Sequence, residues 1–163
     1  MLPRSSRARN VFEHIERTAV AELWHSRFAI PESAFSRYSF FRKARSIWAI
    51  SEAEMPRLSY EAIGMRIMNC KDLPWKPTTC ALQIFGLYAE KNTIHLQAES
   101  ARIFLEGKSQ DVDAETAGEC ESGYVVVFYR GDVLGCGLYS HGKLVSQIPK
   151  ELRLAGREGE DLL

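Results

Sequence analysis

The sequence lacks the apolar stretches that membrane insertion or export requires. No apolar run approaches the roughly 18 residues needed to cross a bilayer, although hydrophobic residues make up 45% of the chain. The first residues carry Arg4, Arg7, Arg9 and Arg17 in place of the apolar centre of a signal peptide. We therefore expect no membrane contact and a cytoplasmic location.

Cysteine and histidine are few and scattered. This pattern is typical of reduced, mostly buried thiols in a cytoplasmic protein, and it argues against a disulfide framework or a zinc site. The histidines have no Cys or carboxylate at metal-ligand spacing. The residues are Cys70, Cys80, Cys120 and Cys136, and His14, His25, His95 and His141.

The glycine-rich motifs of cofactor binding are also missing. The chain has no Gly-x-Gly-x-x-Gly after a predicted strand and no Gly-x-x-x-x-Gly-Lys-Ser/Thr. We therefore predict no cofactor and no catalysis. The enzymatic alternative is a cysteine nucleophile: Cys80 lies near a predicted helix N-terminus, where a thiolate is stabilised, but neither Cys80 nor Cys136 has an evident base partner.

Charge is balanced overall but unevenly distributed. Residues 1–48 carry nine Arg or Lys against four Glu, whereas residues 101–163 carry seven basic against eleven acidic residues. An anionic partner such as RNA and a solvated arginine-rich helix face explain the basic half equally well.

The N-terminal half predicts helices and a hairpin. Phe12, Ile15, Ala19 and Leu23 recur at helical spacing, which predicts a helix over residues 5–27 that Ser5 or Ser6 caps. Its end supplies Trp24 and Phe28 as core anchors, and Pro31 opens a short helix to Phe35. Alternating apolar residues between Tyr38 and Ile50 predict a hairpin whose exposed turn is basic. The aromatic residues of this hairpin either face the core or stack on bases, and the turn cations are Arg42, Lys43 and Arg45.

The following residues predict a strand from Ile63 to Met68, an irregular segment through Pro77, and a helix from Thr78 or Thr79 to about Ala89. The free amides of that helix beside Lys76 are a candidate phosphate seat, with an ordinary capped helix as the alternative.

The second half predicts a glycine-punctuated meander. Thr93–Leu96 is a short strand, and Ala98–Glu106 has helical spacing that Gly107 ends in a left-handed cap. Residues 110–121 predict an exposed acidic loop. Three strands follow, over Tyr124–Tyr129, Val133–Tyr139 and Leu144–Ile148; Gly135 and Gly137 in the second indicate a bulge or a close packing contact.

Four segments carry a family resemblance: residues 101–107, 123–127, 133–137 and 148–153. Val-Leu-Gly-x-Gly followed by Pro-Lys-x-x-Arg resembles the PUA-like module at the C-terminus of the NOL1/NOP2/Sun family of RNA cytosine methyltransferases. Residues 27–31, 35–40 and 76–86 resemble the segment that precedes this module in archaeal forms. The resemblance implies an α+β fold: a mixed α/β N-terminal region over 1–91 packed on a small PUA-like β-barrel over 92–155. An acidic tail follows at 156–163.

The resemblance also implies a function. Enzymes of that family have a cofactor-binding domain and two cysteines in Pro-Cys and Thr-Cys contexts, whereas this chain has no Pro-Cys and is too short for that domain. We therefore expect a non-catalytic protein that recognises structured RNA, tRNA or rRNA, in RNA modification or ribosome biogenesis. Family modules hold RNA with the glycine loop after the helix and with the last strand, which implies Arg102, Gly107, Lys108, Lys143, Lys150 and Arg153. The alternative is a module that docks on a separate RNA methyltransferase without touching RNA.

Overall fold

The computed structural model describes residues 12–52 and 64–155. These residues form two five-stranded sheets with four α-helices and three short 3-10 helices. The predicted α+β class is confirmed. The predicted caps Ser5 and Ser6, the start of the Ile63 strand and the acidic tail at 156–163 lie outside the described residues.

The first sheet contains the predicted hairpin. Its strands pair antiparallel in the order β1-β2-β3-β4-β5, and the hairpin of β2 and β3 turns at Ala44 and Arg45. The bounds are β1 Glu13–Ile15, β2 Tyr38–Lys43, β3 Ser46–Ser51, β4 Met65–Asn69 and β5 Lys76–Pro77.

The first helix, α1, spans Arg17–Phe28, so the predicted start near residue 5 is wrong. Ile15 belongs to β1 instead and pairs with Phe40. The buried residues of α1 are Val20, Ala21, Trp24 and Phe28, so the prediction that Trp24 and Phe28 lie in the core is confirmed. Leu23, which the periodicity placed inward, is 41% exposed because α1 turns the face of Val20, Trp24 and Phe28 to the core.

Two short helices follow the predicted positions. A 3-10 helix at Glu32–Phe35 follows Pro31. Helix α2 spans Thr79–Phe85 and continues as a 3-10 turn, Gly86–Tyr88. The Thr78 hydroxyl caps α2 by accepting from the Ala81 amide at 3.1 Å.

The second sheet carries the predicted meander, in the order β6-β8-β9-β10-β7. Strands β6 and β8 run parallel, and the other neighbours are antiparallel. The bounds are β6 Thr93–His95, β7 Ser109–Asp111, β8 Gly123–Tyr129, β9 Asp132–Ser140 and β10 Lys143–Ser146; helix α3 is Ala98–Leu105, α4 is Ala114–Ala117, and a 3-10 helix spans Lys150–Leu152.

The acidic segment before the meander is ordered, so the predicted loop at residues 110–121 is wrong. It contributes most of β7, which pairs with β10, and all of α4. The Asp113 carboxylate begins α4 by accepting from the Thr116 amide at 2.7 Å. This bond lowers the pKa of Asp113.

The glycines of β9 have the predicted role. The ladder between β8 and β9 shifts register at Val127 and Phe128, opposite Gly135. A Cβ atom on Gly137 would lie 2.5 Å from Leu144 Cδ1. The predicted closed barrel is not confirmed: β6 and β7 are the outer strands in the described pairing order.

The two faces of β8 serve two hydrophobic cores. Val126 and Phe128 pack with Trp24, Phe85 and the first sheet. Val125 and Val127 point the other way and pack with Phe104 and Leu144. Successive side chains of β8 point to opposite faces of the sheet, so this one strand contributes to both cores and joins the two halves of the chain. The division into regions 1–91 and 92–155 stays a prediction.

Candidate nucleic-acid interface

The C-terminal segment lies against the end of α3. Arg153 Nε donates to the Ile148 carbonyl at 3.0 Å, and the Leu154 amide donates to the Leu105 carbonyl at 3.0 Å. The Arg153 side chain crosses Gly107, whose φ is +82°, and a Cβ atom there would lie 2.7 Å from Arg153 Cζ. Glycine thus provides both the left-handed turn and the space for the arginine.

Lys108 and Lys150 flank this contact. The Lys108 carbonyl accepts from the Ser146 amide at 3.4 Å, and the Lys150 carbonyl accepts from the Arg153 amide at 3.4 Å. Both lysines are exposed, and Lys108 Nζ lies 2.8 Å from Glu106 Oε2. We call Gly107, Lys108, Lys150 and Arg153 the basic rim. The Arg153–Gly107 contact brings these two predicted sites, which lie 46 residues apart in the sequence, close together.

Lys143 lies away from the basic rim contacts, whereas the Arg102 carbonyl accepts from the amide of Glu106, the residue before Gly107. Lys143 starts β10 opposite Asp111, three residues or about 10 Å along the strand from Ser146. The Arg102 guanidinium pairs with Glu99 at 2.5 Å along α3.

The hairpin tip presents the other predicted cations. Arg42 Nε donates to the Ala44 carbonyl at 3.3 Å. Lys43 Nζ lies 4.9 Å from the centre of the Phe12 ring. Arg45 is exposed, and its carbonyl accepts from the Cys70 amide at 2.6 Å.

A row of paired residues connects the hairpin tip to the basic rim. Lys43 pairs with Ser46, Ser46 with Asn69, and Asn69 with Lys76. Directly paired residues share one face of a sheet, so Lys43 and Lys76 lie three strand spacings apart, about 14 Å.

The Lys76 side chain connects this row of paired residues to the second sheet. Its Nζ donates to Gln147 Oε1 at 2.7 Å and lies 5.8 Å from the centre of the Tyr124 ring. Gln147 directly precedes Ile148, whose carbonyl holds Arg153. We call the hairpin tip, this row and the basic rim together the basic track.

At the predicted phosphate seat beside Lys76, the start of α2 has an ordinary side-chain cap. The Thr78 hydroxyl already occupies the Ala81 amide, and Lys76 is turned to Gln147.

Sequence reasoning missed one cation close in sequence to the paired row. Lys71 is exposed, and its backbone amide donates to Asn69 Oδ1 at 2.9 Å. The only sequence signal is its position in a polar turn just after the Met65–Asn69 strand.

A polar network that sequence reasoning also missed joins the two halves at another place. Arg27 donates twice to the Tyr124 carbonyl, at 2.9 and 2.7 Å, and its Nη1 lies 3.3 Å from Glu121 Oε2. Asn92 Nδ2 donates to the Arg27 carbonyl at 2.7 Å and to Glu121 at 3.2 Å, and Lys91 Nζ lies 3.5 Å from the same carboxylate.

The pKa values in this network respond to these contacts. The hydrogen bond from Asn92, followed by the Lys91 charge, lowers the pKa of Glu121. Burial lowers the pKa of Arg27, against the opposing effect of Glu121. Because the Arg27 donors are committed to the protein, this network is a structural joint.

The cysteines differ in access. Burial raises the pKa of the Cys136 thiol to about 12, which excludes it as a nucleophile in the folded protein near neutral pH. Cys80 is exposed in the first turn of α2.

No group of three or more His, Cys, Asp or Glu side chains in the described parts of the chain is arranged to hold a metal ion. None of the helices in residues 12–52 and 64–155 has the length and apolar character that crossing a bilayer requires.

Comparisons with known proteins match two parts of this chain to protein families. Residues 91–154 match the family described as the methyltransferase RsmF PUA domain. The resemblance to the PUA-like module of the NOL1/NOP2/Sun family is thereby confirmed. Residues 1–64 match a family of unknown function, DUF7122.

One particular relative aligns with most of the chain. The ribosomal RNA small subunit methyltransferase F of Psychromonas ingrahamii is 25% identical over 142 residues. The alignment covers 82% of this chain but 28% of that protein. The chain therefore spans little more than a quarter of the curated relative it matches.

Proposed function

We propose that this protein is a non-catalytic binder of structured RNA, either tRNA or rRNA, that acts in RNA modification or ribosome assembly. The observation that carries the proposal is the basic track, which connects the hairpin tip to the PUA-like module through Lys76 and Gln147. The similarity to a ribosomal RNA methyltransferase supports RNA as the partner.

The physical basis of the proposed binding is phosphate neutralisation. The cations of the basic track would neutralise phosphates of a folded RNA backbone. The deep, narrow major groove of an RNA helix keeps side chains from its base edges, so contacts to backbone and shape dominate. Lys and Arg contacts of this kind release counterions, and affinity falls steeply with salt.

The proposal assigns no catalytic step to these residues. The matched family is the PUA domain of a methyltransferase, and the sequence contains no Pro-Cys pair. The proposal includes a cytoplasmic location, where the free thiols of Cys70, Cys80, Cys120 and Cys136 would remain reduced.

The test is a titration of the full chain with labelled tRNA and with rRNA fragments at 50 and 200 mM salt, about a fourfold range. The proposal expects binding to at least one RNA, with affinity that falls at least tenfold over this range. Absent binding, or binding that salt does not change, would contradict it.

A second candidate rests on a separate surface. Ile84 near the end of α2 and Leu87 and Tyr88 in the following 3-10 turn are 43%, 55% and 54% exposed. These exposed apolar side chains favour a protein partner, such as a separate RNA-modification enzyme. Changing Leu87 and Tyr88 to Ser would leave RNA binding intact and abolish capture of that enzyme.

A further inference from the structure

The aromatic residues of the hairpin divide between the two faces of the first sheet. Phe40 is fully buried in the first core together with Ile47 and Ala49. Phe41 and Trp48, their neighbours along β2 and β3, are half-buried and are not part of that core. Because successive side chains of a strand point to opposite faces, Phe41 and Trp48 lie on the other side of the sheet. We call this side the outer face of the first sheet.

A row of paired residues crosses four strands on the outer face. His14 of β1 pairs with Phe41, and Phe41 pairs with Trp48. Trp48 pairs in turn with Arg66 of β4, which is exposed. Directly paired residues lie side by side on one face, so the row spans three strand spacings, about 14 Å. Two large aromatic rings therefore lie between a histidine and an arginine.

Edge-to-face contacts hold the aromatic rings of the outer face. The rings of Phe12 and Trp48 have centres 6.0 Å apart and planes inclined by 82°. The rings of His14 and Phe41 have centres 5.8 Å apart and planes inclined by the same angle. A contact of this kind covers at most one face of a ring. Aromatic rings fixed on a sheet surface in this way can stack on nucleic acid bases, because every base has a π-face.

Cations border the aromatic rings at two places. Lys43 Nζ lies 4.9 Å from the centre of the Phe12 ring, and Arg66 follows Trp48 at the end of the paired row. None of the outer-face positions of β1 to β4 in the described structure is acidic, because Glu13 of β1 alternates to the other face. Positive charge without opposing carboxylates favours an anionic ligand.

The outer face is continuous with the basic track. Lys43 and Ser46 form one pair of the track, and Phe41 and Trp48 form the next outer-face pair of the same hairpin. Two residues along a strand advance about 7 Å. An RNA backbone that follows the basic track therefore passes directly beside the aromatic rings.

We propose that the outer face of the first sheet binds an unpaired segment of RNA, with bases stacked on Phe41 and Trp48 and phosphates at Lys43 and Arg66. The inference rests on the proposed RNA-binding function and adds to it the part of the RNA that this face reads. Sheets with exposed aromatic side chains hold single-stranded RNA in this manner, and stack two or three bases. The cations beside the rings favour RNA over a protein partner as the occupant.

Tryptophan fluorescence gives the direct test. The chain has three tryptophans, of which Trp24 is fully buried, so a base stacked on Trp48 should quench part of the emission. The probes are short oligouridylates and oligoadenylates, and inorganic phosphate, which has no base, should leave the emission unchanged. Trp48→Phe keeps a stacking surface, so it should bind with nearly wild-type affinity and lose the quench. No quench by either oligonucleotide, or the same quench in Trp48→Phe, would overturn the inference.

Variants of the rings and of the bordering arginine test the contacts. Phe41→Leu and Trp48→Leu keep an apolar side chain and remove the aromatic plane, and each should weaken oligonucleotide binding about tenfold. Arg66→Gln, at an exposed site, should lower the salt slope by about 0.7. Tyr88→Leu is the matched control, because Tyr88 is 54% exposed in a 3-10 turn outside this sheet, and it should bind as the wild type does.

Thermal melting identifies the variants that stay folded. Folded Phe41→Leu, Trp48→Leu and Arg66→Gln variants that bind oligonucleotides normally would refute the inference and leave the outer face to a protein partner.

Hairpin RNAs separate this inference from the proposed function. A blunt hairpin and the same hairpin with a single-stranded extension are compared. The wild-type chain should bind the second more tightly, and Trp48→Leu should remove this preference while it keeps binding to the first. Equal wild-type affinity for both hairpins would overturn the inference and leave the proposed function standing. Binding to oligonucleotides with the Trp48 quench, but to no hairpin, tRNA or rRNA fragment, would overturn the proposed function alone.

Discussion

Arg153 lies across Gly107, and its guanidinium occupies the space that any side chain at position 107 would enter. We expect Gly107→Ala to cost about 1 kcal/mol of unfolding free energy, because alanine is strained at this left-handed φ. The new methyl group should also displace Arg153 from the Ile148 carbonyl and weaken RNA binding. Urea unfolding and RNA titration measure the two effects.

Gly142→Ala is the matched control for that change. Gly142 has a similar φ of +78°, and a Cβ atom there would meet its nearest neighbour at an ordinary 3.7 Å. It should show a smaller loss of stability, from the strained φ alone, with unchanged RNA affinity. Equal loss of RNA affinity in both variants would mean that the position of Arg153 does not matter.

Charge reversal of the basic rim should abolish RNA binding. Changing Lys108, Lys150 and Arg153 to Glu removes three candidate phosphate contacts, so any residual binding should have a salt slope lower by about two to three. The same triple change at Arg42, Lys43 and Arg45 should weaken binding less. Filter binding across a salt series reads both effects, and thermal melting checks the fold.

Arg37→Glu is the control for this series, because Arg37 is exposed next to Tyr38, at the end of β2 remote from the hairpin tip. It should bind RNA as the wild type does. A rim variant that stays folded and binds normally would place the RNA site elsewhere.

Lys76→Met tests the centre of the basic track. Methionine keeps apolar contact with Tyr124 but loses the hydrogen bond to Gln147 and the cation at the ring. We expect about 1 kcal/mol less stability and a several-fold loss of RNA affinity at low salt. Stability lost with full RNA affinity would identify Lys76 as a purely structural link.

The polar network around Glu121 should make the free energy of unfolding depend on pH. Its pKa is lowered in the folded protein by Asn92 and Lys91, so the carboxylate stabilises the fold above its unfolded pKa of about 4.3. That contribution is lost as pH falls through the lowered native value. Urea unfolding between pH 3 and 7 should show a shallower acid loss for Glu121→Gln than for the wild type.

Glu119→Gln is the matched comparison, since Glu119 is an exposed acid two residues away. It should follow the wild-type pH profile. If Glu121→Gln also follows that profile, the carboxylate contributes nothing to the joint.

The thiols should separate by reactivity. At pH 8 a thiol with a pKa of about 12 is thiolate in about one molecule in ten thousand, and Cys136 is also fully buried. Exposed Cys80 should therefore react first with an alkylating reagent, and Cys136 only at the rate of unfolding. Mass spectrometry of timed samples gives the order, and early labelling of Cys136 would contradict the packing around β9.

Local sequence signals predicted the elements whose residues suit them strongly. Six β-branched or aromatic residues from Tyr124 to Tyr129 specified β8, and the aromatic alternation from Tyr38 specified the hairpin. Strand β7 has no such signal, because Ser109–Asp111 is polar and becomes a strand through its pairing with β10. Ile15 fits a helix by spacing, but its pairing with Phe40 decides its structure.

The site was predictable in its parts and not in its continuity. The family resemblance supplied the basic rim, and local composition supplied the hairpin tip. The link between them depends on strand register and on the bond from Lys76 to Gln147, which are 71 residues apart. Arg27 and Glu121 are 94 residues apart, and no local pattern announces such a pair.

The alternation of side chains along β8 has a consequence for folding. Val126 and Phe128 complete the core beneath α1 and α2, while Val125 and Val127 complete the core beneath α3. The first core loses Val126 and Phe128 if the second region unfolds, and unfolding of the first region exposes the same two side chains, so the two regions should melt in one cooperative transition. A fragment cut at residue 91 would expose Val126, Phe128 and Cys136 to water and would aggregate, although it begins where the matched family begins.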